Sequence, residues 1–215
     1  MSTTMKMQRN EKARAGSVFS VRSLTVIAML AAVATVLMLL EIPLWFAPGF
    51  YKLDFSEVPV LIGAFSLGPA AGVMIELVKV ILNLVVNGTE TMGVGEFANF
   101  LIGCSMVIPA AILYQRRKSR KSAIIGMAFG TGSMIIIGSL LNAYVLLPAY
   151  AYFYGGVPLS SLIEAGTKVN PAITNLPTFI LLAVAPFNLL KGIVVSAITT
   201  LLYKRLSVII KSVTK

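Results

Sequence analysis

Histidine is absent from the chain, and cysteine, aspartate and tryptophan occur once each in 215 residues. Without histidine there is no imidazole base, no histidine-containing triad and no His-ligated zinc or haem. A single cysteine cannot close an intramolecular disulfide. Charge is scarce as well: 12% of residues are charged, against about 25% in an ordinary soluble domain, and 57% are hydrophobic. A GxxxxGK[ST] phosphate loop and an HExxH helix are also missing, so ATP hydrolysis by the usual means and zinc-protease chemistry drop out. The charge that remains is lopsided, with 18 Lys and Arg against 8 Asp and Glu. These basic residues sit in short clusters beside long apolar runs, the habit of an integral membrane protein and not of a nucleic-acid binder.

Residues 23–40, 58–75, 97–115, 122–163 and 169–190 contain no Lys, Arg, Asp or Glu. A bilayer core of about 30 Å takes about 20 mainly apolar residues as a helix, so each run is long enough or nearly so. The runs predict an all-α bundle of six transmembrane helices. Span 1 covers Leu24–Leu44, span 2 Val58–Leu67 and span 3 Ala70–Val86. Span 4 covers Phe97–Tyr114, span 5 Ala123–Tyr150 and span 6 Ala183–Tyr203. Spans 2 and 3 are divided at Gly68-Pro69; one long tilted helix over 58–87 is the alternative. The domain plan is a basic tail over 1–22, a six-helix membrane domain over 23–208 and a basic tail over 209–215.

Three basic groups set the orientation. They are Lys6, Arg9, Lys12, Arg14 and Arg22; then Arg116, Arg117, Lys118, Arg120 and Lys121; and finally Lys204, Arg205, Lys211 and Lys215. Six spans place all three on one side, which the positive-inside rule makes cytoplasmic, together with both termini. Ala32-Val33-Ala34 resembles a signal-peptide cleavage site but lies inside the apolar run, so span 1 is expected to stay. The 150–175 segment reads as a loop.

Polar groups inside spans are costly, about 2.5–3.5 kcal/mol for a charge at mid-helix, and are read as functional by default. Asn188 and Lys191 stand three apart on one face of span 6. At a rise of 1.5 Å per residue, Lys191 and the span 5 residue Asn142 both lie about 10 Å below the outer surface. Asn83, Glu96 and Asn99 fall toward the same end, which predicts a pocket open to the outside. A lone Asn is also a common interhelical glue, and Lys191 has no acid near it in sequence. Glu76 and Lys79, one turn apart on span 3, read as a mutually neutralising structural pair. Several amides, one ammonium and apolar walls suit a neutral planar molecule with carbonyls and ring nitrogens. A nucleophile–base pair is lacking, so an enzyme is not expected, and neither is a metal site.

The aromatic, Pro-rich segment from Pro43 to Pro59 includes Leu53, Asp54 and Phe55. Its composition fits a lid over the pocket and an interfacial aromatic belt equally. On span 1, Ala28 and Ala32 make a small-xxx-small pair that lets another helix approach, inside the bundle or from another subunit.

The runs Leu53-Asp54-Phe55-Ser56-Glu57-Val58-Pro59, Gly68-Pro69-Ala70-Ala71-Gly72, Glu76-Leu77-Val78-Lys79, Gly95-Glu96-Phe97-Ala98-Asn99-Phe100-Leu101, Leu141-Asn142-Ala143-Tyr144 and Pro186-Phe187-Asn188-Leu189-Leu190-Lys191-Gly192 are the most specific feature of the sequence. Taken together over about residues 22–208, they resemble the riboflavin-binding S subunits of energy-coupling factor (ECF) vitamin transporters. The resemblance implies a subunit of a prokaryotic plasma membrane that takes riboflavin as transported ligand, with no cofactor, beneath the loop between spans 1 and 2. It implies as partners a membrane scaffold subunit and two ATPase subunits, with toppling in the bilayer to release substrate inward. It implies that Asn142, Asn188 and Lys191 hydrogen-bond the flavin ring, that Phe55 and Gly95 border it, and that Ala28 and Ala32 meet the scaffold. The 150–175 segment is longer than the family pattern leads one to expect. The rival readings are an S subunit for another vitamin and, from a different class, a small intramembrane enzyme or channel.

Overall fold

A computed structural model describes residues 20–89, 92–153 and 158–214, with side chains described up to 203. The basic residues Lys6, Arg9, Lys12 and Arg14 lie outside the described residues, as do the side chains of Lys204, Arg205, Lys211 and Lys215. Most of the expected 1–22 tail lies outside them too.

Ser20 caps the first helix, α1 (Val21–Leu39), by accepting from the Ser23 N–H at 3.2 Å. A two-stranded antiparallel hairpin follows, β1 (Ile42–Pro43) paired with β2 (Lys52–Leu53), in register Ile42 to Leu53. This hairpin is the one departure from an all-helical chain among the described residues. Helix α2 (Glu57–Leu67) then enters the bundle. It ends at Gly68, whose φ of 110° favours glycine, and Pro69 opens α3 (Pro69–Asn87) at its first position, where its missing N–H costs nothing. The 58–87 segment is therefore two helices and not one tilted rod.

Helix α4 (Val94–Arg116) and helix α5 (Arg120–Leu141) form a hairpin around the exposed basic turn at 117–119. Helix α5 continues through a π-helical turn (Asn142–Leu146) into α6 (Leu147–Phe153). The 150–175 segment, expected as loop, carries an 11-residue helix, α7 (Leu159–Val169). The last span starts earlier than expected, with α8 (Leu176–Phe179), a second π-helical turn (Ile180–Val184) and α9 (Ala185–Thr214). The two π turns pack against each other.

Among the described residues, five helical stretches are long and apolar enough to cross a membrane. The exception is α2, whose 11 residues reach about 16 Å, half of a bilayer core. Residues Glu57 to Phe65 of α2 are all buried, so it works as an internal post around which the long helices gather. Lipid gives little hydrophobic drive between helices, so close approach matters more. On α5, a Cβ at Gly126 would fall 2.7 Å from the Ala110 carbonyl oxygen, and one at Gly130 would collide with that of Met106.

Two apolar cores result. The larger joins Leu61, Ile62 and Phe65 of α2 to Ile75, Met106, Val107 and Met127. The smaller sits under the hairpin, where Ala47 and Tyr51 meet Leu147, Ile173, Phe179 and Phe187, with Leu159 and Leu162 of α7 against them. On α1, Ala31 and Ala34 face the core, whereas Ala28 and Ala32 are exposed beside Met29, Val33 and Val36. Of the two options left open for the alanine pair, packing inside the bundle is thus removed.

Candidate functional site

A cavity of about 740 Å³ lies between the two cores, roofed by the hairpin. That volume is within the usual range for small-molecule sites, roughly 300–1,000 Å³. Asn142, Asn188, Lys191, Gly95, Asn83, Glu96 and Asn99 all line it, as does Asp54. Leu53 and Phe55 do not: Leu53 is buried, and Phe55 turns toward the larger core. The hairpin side chains that do reach the cavity are Phe50, Tyr51 and Lys52.

The floor is built from two helices with interrupted hydrogen bonding. Asn142 opens the first π turn, and its Nδ2 donates to the Gly138 carbonyl at 2.8 Å. Asn188 lies one turn beyond the second, and its Nδ2 donates to the Val184 carbonyl at 3.0 Å. Such π turns often mark functional positions because they re-aim side chains that an even α-helix would place elsewhere. Gly138 makes the meeting possible, since a Cβ there would sit 3.0 Å from Asn188 Nδ2.

Lys191 is not the isolated cation that its sequence neighbourhood suggests. Its Nζ donates to Asp54 Oδ2 at 2.8 Å, across 137 residues. Asp54 is the chain's one aspartate. Its other oxygen, Oδ1, accepts from the Ser56 N–H at 2.8 Å and from the Ser56 hydroxyl, which fixes the turn leading into α2. Burial alone would push the Asp54 carboxyl up, but Lys191 and Lys79 outweigh it and hold the group at about 2. Asp54 and Lys191 are therefore both charged, and together they are neutral toward the cavity.

Tyr51 escapes notice in the sequence, where it is one aromatic among several in the segment. Its hydroxyl donates to Asn142 Oδ1. Burial, aided by Tyr150, pushes this phenol well above its ordinary range, so it stays a neutral donor. The contact fixes the Asn142 amide: Oδ1 faces the tyrosine and one N–H remains for a ligand. Asn188 keeps one N–H and its oxygen, and Lys191 keeps up to two N–H groups. Phe50, Tyr51, Phe179 and Phe187 form a continuous aromatic cluster beside these groups, with Tyr51 and Phe187 ring centroids 5.3 Å apart. The mouth is polar: Glu41 and Lys52 pair at 2.5 Å beside the hairpin, and Thr89 donates to Glu96 at 3.0 Å.

Glu76 and Lys79 are paired, as expected, at 2.6 Å. They are not an isolated couple. Glu57 joins Lys79 at 3.0 Å, and Ser56 accepts from the same ammonium at 3.2 Å, which places this group directly behind the cavity floor.

The family model for the ECF transporter substrate-specific component matches residues 22–203. Over 192 residues the chain is 38% identical to the riboflavin transporter RibU of Staphylococcus aureus (strain TCH60), covering 89% of this chain and 94% of that protein. It is 34% identical to the riboflavin transporter FmnP of Bacillus subtilis (strain 168) over 187 residues, covering 86% of this chain and 92% of that protein. A solved S component of a bacterial ECF transporter superposes with a TM-score of 0.67 at 38% identity, covering 87% of this chain and 96% of that one. This chain belongs to the substrate-specific, or S, components of ECF transporters.

Proposed function

We propose that this chain binds riboflavin in the cavity beneath the hairpin and delivers it inward as the S subunit of an ECF importer. It is a binding subunit of a prokaryotic cell membrane and not an enzyme. The relatives named above, which match along most of their length, are riboflavin transporters. The observation that carries the reading is the convergence of Asn142, Asn188 and Lys191 on one aromatic-walled cavity. A flavin ring offers carbonyl and ring-nitrogen acceptors together with one imide N–H. The free N–H groups of Asn142, Asn188 and Lys191 match the acceptors, and Asn188 Oδ1 matches the imide. The ring is neutral, and so is the Lys191–Asp54 pair that it would meet.

Asn83, Glu96 and Asn99 line the outer part of this cavity and suit the ribityl hydroxyls. The hairpin serves as the lid, through Tyr51 and Asp54 in place of Leu53 and Phe55. Counting the buried α2, the bundle has six helices with both termini in the cytoplasm, an orientation supported by the exposed basic turn between α4 and α5. The exposed face of Ala28 and Ala32 suits the membrane scaffold subunit, and two ATPase subunits supply the energy that this chain cannot.

Quenching of riboflavin fluorescence on titration with the purified protein tests the reading. Saturation at one vitamin per chain is expected. Lys191→Ala and Asn188→Ala should each weaken binding by at least tenfold, corresponding to about 1.4 kcal/mol, without loss of the folded protein. Unchanged affinity in both would remove the site. Failure to quench, with quenching or heat release by another vitamin instead, would transfer the cavity to that vitamin.

A further inference from the structure

At the cavity floor and directly behind it the bundle brings together three carboxylates and two ammonium groups. Lys79 Nζ lies 2.6 Å from Glu76 Oε1 and 3.0 Å from Glu57 Oε1. Lys191 Nζ lies 2.8 Å from Asp54 Oδ2 and 4.0 Å from Glu57 Oε1. Glu57, Glu76 and Lys79 are sealed from solvent at 1%, 0% and 0% exposure. Among the described residues no third cation reaches them, and the remaining titratable neighbour is the buried thiol of Cys104 on α4.

Full ionisation would leave one surplus negative charge in this space. Burial of an unpaired charge is so unfavourable that the group takes up a proton instead. The oxygens point the same way. Glu57 Oε2 and Glu76 Oε2 are buried without a hydrogen-bond donor, while Glu76 Oε1 has the Lys79 ammonium beside it. The two carboxyl groups also converge on one spot, because a Cβ at Gly103 would collide with Glu76 Oε1 and lie 3.1 Å from Glu57 Oε1. Two ionised carboxylates crowded there would repel, whereas one proton between them supplies the missing donor.

We infer that Glu57 and Glu76 hold a single proton between them at neutral pH, which makes the five-group cluster electroneutral. The proton resides mainly on Glu76. Glu57 stands at the first position of α2, where the helix dipole favours the anion, whereas Glu76 is in the middle of α3 and has no such help. Asp54 and Lys191 belong to the cavity lining as well, whereas Glu57, Glu76 and Lys79 do not.

Infrared spectroscopy of the full chain, purified in maltoside micelles freed of ester lipids, tests the inference. At pH 7 the spectrum should contain one protonated-carboxyl C=O band per chain, above the amide I band and shifted on transfer to D₂O. Glu57→Gln and Glu76→Gln each leave two carboxylates facing two ammonium groups, so the band should vanish in both. Glu164→Gln, on the exposed side of α7, should keep it. A wild-type spectrum without the band, or a band that survives either cluster substitution, overturns the inference. Should one variant not fold, the wild-type band and the other variant decide.

Discussion

Asp54 joins the roof of the cavity to its floor, because one oxygen sets the turn before α2 while the other holds Lys191. The ammonium groups lower its carboxyl from 3.8 to about 2 against the opposing effect of burial. A carboxyl lowered by folding stabilises the folded state wherever it is ionised. Its contribution of roughly 2 kcal/mol is complete above about 3.8 and is lost as the pH falls through about 2. Asp54→Asn removes this share of the acid sensitivity. At neutral pH it breaks the short buried ion pair and leaves Lys191 only the more distant Glu57 at 4.0 Å, a change that costs up to about 3–5 kcal/mol. Thermal unfolding should therefore show a lower melting temperature at pH 7 and a shallower decline between pH 4 and pH 2. Tyr51→Phe keeps the ring contacts and removes only the donor to Asn142. The bond is already made in the ligand-free protein and contributes about 1 kcal/mol to its stability, so the melting temperature should fall by a few degrees. Riboflavin affinity should fall with it in a fluorescence titration, because the Asn142 amide is no longer held in place. The polar floor was legible in the sequence, since Asn142, Asn188 and Lys191 are conspicuous inside apolar runs. Their partners were not, because Tyr51 and Asp54 are ordinary in a loop and gain their roles only through contacts 91 and 137 residues away. One signal was available: a single intramembrane lysine without a local acid demands a distant one, and the chain has one aspartate.

At the scale of elements, charge-free runs locate long helices well because lipid and the unmet backbone hydrogen bond leave few alternatives. The break at Gly68-Pro69 was legible for the same kind of local reason. Three elements were hidden. The hairpin is a pairing of two short segments, and no alternation of residue type spans it. Helix α7 lay in a stretch too polar to read as a span. Its apolar side, Leu159, Leu162 and Ile163, is recognisable only once the smaller core is in place. The π turns leave no composition signal at all. The α4–α5 crossing depends on glycine, since Gly126 and Gly130 bring the α5 backbone against Ala110 and Met106. Gly126→Val forces the helices apart. Overpacking of this kind typically costs 1–3 kcal/mol, about the range expected here. The yield of monodisperse protein in size-exclusion chromatography should drop, and the melting temperature with it.

At the scale of the whole molecule, polar groups gather at the hairpin end, while aromatic packing among Phe65, Tyr114 and Tyr203 closes the opposite end. A channel needs polar groups through both halves, and this bundle has a cavity in one. The chain binds and presents its ligand. That arrangement suits a subunit whose energy comes from partners, and it makes the ligand itself the most direct test. The protein, purified in detergent from cells grown with the vitamin, should be yellow, with a flavin absorption spectrum and about one riboflavin per chain released for mass spectrometry. A colourless protein that also fails to quench added riboflavin would contradict the account.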